Sequence, residues 1–387
     1  MQIVQATFGT FHHFDLAREL LAHRHLKRIY STFPWRRLER EGVPKEYVAT
    51  FPWIHAPSFL LSRYGVLSDD LSSAVSYYNA VFYDAWLTRR IPECDALIAL
   101  SGAALTAGKK VQLRGGKFIV DRGSTHRAFQ YRVLQEEYKR WGFHYEPNEA
   151  KDMVRELKLY DQADAIVVPS RLVRRTFLDE GIDPAKVFSI PYGVQLDRFQ
   201  KVADPPNSAD RFEVLFVGGV ALRKGIPYLL QAFAGLQHSH KRLRIVGHMS
   251  AEITKLLPSL PQENVEILGT VSQPELAAIM SSSHVLVLPS IEEGLALVQG
   301  QALACGCPVI ATEATGAEDL FEDGVQGFIL PSPDVPALTA KMQQLADDPA
   351  LQQRMSEAAI LRVQQLGGWK QYGNRWVELL RQLTGKA

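Results

Sequence analysis

The chain has 387 residues, 46% of them hydrophobic, which is more than one hydrophobic core usually organises and enough to fill two. Its 43 basic and 42 acidic residues nearly cancel, and a net charge of +1 excludes a general binder of nucleic acid or acidic polymers. Any anion site must therefore be local.

The chain opens on the strand-like "QIVQA". No basic-then-apolar leader precedes it and no apolar run reaches about 18 residues, so the chain is expected to be neither exported nor membrane-spanning. Cys94, Cys305 and Cys307 form neither a disulfide framework nor a zinc spacing, which fits a reduced, cytoplasmic protein. "GTFHHFDLARELL" follows the first strand. His12 and His13 there read as loop or capping residues, or as residues of a site.

The next strand, "RIYST", lies inside "HRHLKRIYSTFPWRRLER", which groups Arg24, Lys27, Arg28, Arg36, Arg37 and Arg40 around Trp35. A solvated basic face is the plain reading. A peripheral membrane contact through this half of the chain, at the inner face of a membrane, is the sharper one. "FPWIHAPSFLLSRYG" and "SSAVSYYNAVFYDAWLTRR" are rich in aromatics and are expected to pack in a core, with an acceptor groove or a membrane surface as alternatives.

Strands at "ALIAL", "KFIVD", "AIVVP" and "VFSIP" complete a first set. "PYGVQLDRFQKVADPPNSADRF" then clusters proline, glycine, asparagine and aspartate without helical periodicity, as a linker does. Beyond it come "EVLFVG", "RLRIVG", "VEILG", "HVLVLP" and "PVIAT". Short β-branched runs alternating with helical patterns predict α/β architecture with parallel sheets and crossover helices. Two doubly wound domains would leave a cleft at the carboxyl ends of both sheets, where such sheets bind ligands.

In "LFVGGVALRKGIPYLLQAF", Gly218 and Gly219 let backbone approach a ligand, and Arg223 and Lys224 stand just before a helix start. Positive charge there opposes the helix dipole, so an anion is the expected partner. "VLVLPSIEEGLALVQGQALA" places Glu292 and Glu293 before a helix expected to begin near Leu295. The free amides of Gly294, Leu295, Ala296 and Leu297 would then point into the cleft, and each acid is either an ordinary first-turn acid or a sugar-hydroxyl partner. No G-x-x-x-x-G-K, G-x-G-x-x-G or strict D-x-D occurs, and neither histidines nor cysteines fall at ligand spacing on one element. Neither a metal nor a cofactor is expected.

These residues resemble the retaining GT-B glycosyltransferases of glycosyltransferase family 4. The family shows a strand, then P-S, then E-G, a second acid on the next helix, and A-x-A-x-G-x-P-V-I. This chain has "PSIEEGLALVQGQALACGCPVIATEATGAEDLFEDGVQGFIL". "ADAIVVPSRLVRRTFLDEGIDPAKVFSIPYGVQLDRF", "GTVSQPELAAIMSSSHVLVLPS" and a closing tryptophan-led "GGWKQYGNRWVELLRQL" match as well.

The resemblance implies two Rossmann-like domains facing across a cleft. Residues 1–193 would bind the acceptor, joined by a C-terminal helix at 368–387, and residues 194–367 would bind a nucleotide sugar. It implies a retaining, metal-independent hexosyltransferase, with a UDP-linked sugar as the expected donor and a glycan or lipid-linked hydroxyl as acceptor, acting in polysaccharide or glycoconjugate synthesis. Glu293 would contact the donor sugar, Lys224 the diphosphate, and Gly294 to Leu297 sugar or phosphate. Gly269, Thr270 and Val271 would flank the base, Gly9 and Thr10 the diphosphate or acceptor, and His126 the donor sugar.

Two positions depart from the family. Its phosphate arginine falls on Gly219, so Arg223 is expected to supply that charge, and its ribose-binding acid falls on Gln301. A GT-B epimerase or phosphorylase, or a non-catalytic nucleotide-sugar-binding protein, are the rival readings.

Overall fold

A computed structural model describes residues 1–54, 57, 69–145, 150–208 and 210–386, without the side chains of 69–74 and 150. Most of the aromatic stretch at 55–68 therefore lies outside the described residues.

Two parallel sheets make up the frame. The first contains β1 (Ile3–Thr7), β2 (Leu26–Ser31), β3 (Val48–Thr50), β4 (Ala96–Leu100), β5 (Lys117–Asp121), β6 (Ala165–Val168) and β7 (Val187–Ser189), in the order β3-β2-β1-β4-β5-β6-β7. The second contains β8 (Phe212–Val217), β9 (Lys241–Val246), β10 (Val265–Gly269), β11 (Val285–Leu288), β12 (Val309–Thr312) and β13 (Gly327–Leu330), in the order β10-β9-β8-β11-β12-β13. Every pairing is parallel.

Helices cover both faces, which is why the central strands are continuously apolar instead of alternating. Along β4, Leu97 and Ala99 enter one core and Ala96 and Ile98 the other, as the two-residue period of a strand requires. Two strands lay outside the sequence expectation: β3, three half-buried residues at one edge, and β13, a four-residue edge strand opening on a glycine.

In each sheet the order reverses once, between β1 and β4 in the first and between β8 and β11 in the second. Loops leaving the carboxyl ends of such a pair diverge to opposite faces and open a crevice. The linker joins β7 to β8, and helix Trp369–Thr384 returns to the first domain, where Tyr372, Trp376 and Leu380 share a core with Phe14 and Leu20 of helix His13–Ala22.

Aromatic residues near the other end of that domain divide. Phe51 and Tyr83 are buried, but Trp53 and Phe82 are 74% and 53% exposed. Among the described residues, no helix is long and apolar enough to cross a membrane.

Candidate active site

The crevices of the two sheets face each other and merge into one cleft of about 630 Å³, lined by both domains. On the second domain's side, the β8 loop ends at Gly225, which has a left-handed φ of +70°. A Cβ there would run into the Pro289 carbonyl, so glycine allows the loop to press against the end of β11. That contact brings Arg223 and Lys224 to Ser290–Glu293.

Lys224 Nζ donates to Glu293 Oε1, and Ser290 Oγ donates to the same oxygen at 3.3 Å. The Arg223 guanidinium lies 3.4 Å from Glu293 Oε2, while its Nε lies 2.8 Å from Glu292 Oε2 and donates to the Glu292 carbonyl at 3.0 Å. Two cations thus meet two carboxylates, both nearly buried. Burial, then the neighbouring Arg223, pull the Lys224 ammonium down to about 7, and the Glu292 carboxylate acts in the opposite sense. Although burial alone would raise Glu292, the Arg223 charge and hydrogen bonds from Thr125, Gln130 and Ser124 hold it down at about 2.

The first domain's wall is assembled from separate segments. Thr10 and His12 come from the turn after β1, Asp15 from the helix that follows it, Ser101 from just past β4, Arg122 and Gln130 from the region after β5, and Tyr192 from the segment after β7. Its charges are already answered. Arg122 pairs with Glu156 at 2.6 Å and donates to Gln130 Oε1 at 3.0 Å. His12 Nε2 lies 2.8 Å from Asp121 Oδ2, and its ring packs at a tilt against Tyr192, centroids 4.4 Å apart.

His13, fully buried, approaches the same Asp121 oxygen at 3.5 Å, and burial, then His12, drive it down to about 3. His12, His13 and Asp121 thus bring ligand atoms within 4.8 Å of one another. The sequence argument against a metal looked for spacing on one element, whereas here β5 and the start of a helix converge. The contacts at Asp121 join the three directly.

Residues 197–362 match the family described as Glycosyl transferases group 1. That span falls in the second domain. The Alpha-D-kanosaminyltransferase of Streptomyces kanamyceticus is 31% identical over 155 residues, covering 39% of this chain and 40% of that protein. The chain spans about half the length of the curated relatives it matches. The sucrose-phosphate synthase structure from Thermosynechococcus elongatus aligns with a TM-score of 0.74 at 21% identity, covering 100% of both chains. An Anabaena protein, HepE, solved in complex with UDP-glucose, aligns at 0.66 and 16% identity, covering 99% of this chain and 100% of its own. The fold is GT-B, and the second domain is similar to the group 1 glycosyltransferases.

Of the residues singled out in the sequence, Thr10, Arg223, Leu297 and Gln301 line the cleft, and Lys224 and Glu293 adjoin Arg223. Gly9, Gly218 and Gly219 are not among its lining residues, and Gly269, Thr270 and Val271 lie at the end of the edge strand β10. The helix after β11 begins at Leu297, not near Leu295. Gly294, Leu295 and Ala296 therefore form a buried turn, in which the Ala296 amide donates to Thr315 O at 3.2 Å and the Gly294 carbonyl accepts from Ser170 Oγ at 2.7 Å.

His126 differs most from its expected place. It caps helix Arg127–Arg140, its Nδ1 accepting from the Ala128 amide at 3.3 Å, and its ring packs between Tyr160 and Phe177. Burial lowers it to about 4. Sequence reasoning missed Glu292 as an interdomain residue and Asp121, Arg122, Ser101, Gln130 and Tyr192 as parts of the first wall. The available signal for Asp121 and Ser101 was position, since both stand at or just past the carboxyl end of a parallel strand beside the switch point or its neighbour.

Proposed function

We propose that the protein transfers a sugar from a nucleotide donor to a hydroxyl of a glycan or lipid-linked acceptor, with retention of anomeric configuration. The observation that carries this reading is the Arg223, Lys224 and Glu293 cluster at the second sheet's switch point, facing a polar wall on which Arg122 is already paired with Glu156. A diphosphate entering there exchanges partners: Lys224 and Arg223 turn to phosphate, and Glu293 is released toward the sugar hydroxyls.

Cationic side chains placed where negative charge develops stabilise the departing nucleoside diphosphate. The bond from the anomeric carbon to the phosphate oxygen breaks, the acceptor oxygen bonds on the same face, and the departing phosphate oxygen takes the acceptor's proton. The UDP-bound state of HepE, a structural neighbour, supports UDP as the first donor to try. Gln301 would meet the ribose.

One observation favours a second stereochemical reading. His12, paired with Asp121 at the cleft wall, has the arrangement of a general base held by a carboxylate. A base that removes the acceptor proton serves an inverting displacement. Proton NMR of fresh product separates the two: the donor's configuration supports front-face transfer, and its opposite supports the His12 reading. Acceptor-dependent release of nucleoside diphosphate is required by both, and its absence would favour a binding protein or an epimerase.

A further inference from the structure

We propose that Glu292 is a positioning residue that locks the second domain onto the first and holds Arg223 at the cleft with the same carboxylate. It projects from the loop after β11, ahead of any helix, and is 1% exposed. Its Oε1 accepts from Ser124 Oγ at 2.7 Å, Thr125 Oγ1 at 2.5 Å and the Thr125 amide at 3.2 Å. Its Oε2 accepts from Gln130 Nε2 at 2.9 Å and faces Arg223 Nε at 2.8 Å.

All but the last of these partners belong to the first domain. A carboxylate offers about four lone-pair sites, so these five donors leave none for a substrate. Glu292 is therefore spent on the domain contact, unlike its neighbour Glu293.

The surroundings are built for close approach. Two residues on, a Cβ at Gly294 would run into the carbonyl of Gly123, so only glycine lets these backbones meet. Ser124, Gln130 and Arg223 line the cleft, whereas Thr125, Ile291 and Glu292 line a second interdomain cavity of about 350 Å³ behind it. The carboxylate is the partition between them. If the domains part, it loses four first-domain hydrogen bonds together and keeps only its contact with Arg223.

The closure role stands apart from the proposed transfer; only the link from Arg223 to a diphosphate rests on that reading. Small-angle scattering of the full chain tests closure without turnover. Glu292→Ala should enlarge the radius of gyration and lower the closed-to-open ratio at least ~10-fold, since hydrogen bonds to a charged group are strong. Thr125→Val with Gln130→Ala should open the molecule in the same way, and combining them with Glu292→Ala should add little more.

Wild-type scattering in both Glu292→Ala and the first-domain double variant, each with an unchanged melting temperature, would overturn the proposal. If Glu292→Ala does not fold, the double variant decides alone, opening in support or staying closed in contradiction. In transfer assays Glu292→Ala should lower kcat at saturating donor more than it raises KM. Lost transfer with unchanged scattering would instead assign Glu292 to substrate.

Discussion

The two walls of the cleft are built differently. The second domain concentrates Arg223, Lys224, Glu292 and Glu293 in two loops that press together at one switch point. The first domain spreads Thr10, His12, Ser101, Arg122, Gln130 and Tyr192 over several segments, with Arg122 committed to Glu156 and His12 to Asp121. A compact pair of cations able to exchange partners suits a charged leaving group. A composite wall whose charges are internally matched suits a neutral, hydroxyl-rich acceptor. On the proposed function, charge stabilisation falls to the second wall and acceptor positioning to the first.

The sharpest way to break that division is to remove charge from the second wall. A single contact to developing charge is worth about 2.7–4 kcal/mol, so Lys224→Ala should lower turnover by roughly 100-fold or more. Near-normal turnover in a folded variant would take Lys224 out of the site. Glu293→Ala should also cut transfer severely while calorimetry finds nucleoside diphosphate binding largely intact.

The same lysine predicts a pH limb. Its working form is the cation, and its lowered value means that this form is lost as pH rises through about 7. In the free enzyme, kcat/KM should then fall about tenfold per pH unit above that point. Lys224→Arg, which keeps its proton at these pH values, should flatten the limb. A flat wild-type profile would show that the Glu293 contact keeps Lys224 charged.

Smaller effects sharpen the comparison. Gln301 stands on the second wall as an amide where its look-alikes carry an acid, and neutral hydrogen bonds are weaker than charged ones. Gln301→Ala should therefore weaken nucleotide binding about tenfold, and unchanged affinity would make it a helix residue only. On the first wall, His12→Asn should cost much less than the ~100-fold expected for loss of a general base. A loss of that size would move proton transfer to the first wall and favour inversion.

The sequence made the sheets legible because buried parallel strands are unbroken β-branched runs. It hid β3, a half-buried edge strand of three residues, and β13, an edge strand that opens on a glycine. Arg223 and Lys224 were legible through a local conflict, positive charge ahead of a helix start. Glu292 reads in the sequence as either a first-turn acid or a sugar-hydroxyl partner, because the helix is expected two residues too early; starting at Leu297, it leaves Glu292 free to reach across to Thr125. The pairing of His12 with Asp121 joins residues 109 positions apart, which no spacing within one element can show.

The central claim is that the second wall alone holds the diphosphate, and a crystal structure of the chain soaked with UDP tests it most directly. The account predicts phosphate oxygens within hydrogen-bond distance of Arg223 and Lys224, Glu293 turned away from Lys224, and the ribose beside Gln301. Phosphates lying instead against Thr10, His12 and Arg122, with the Lys224–Glu293 pair intact, would contradict it.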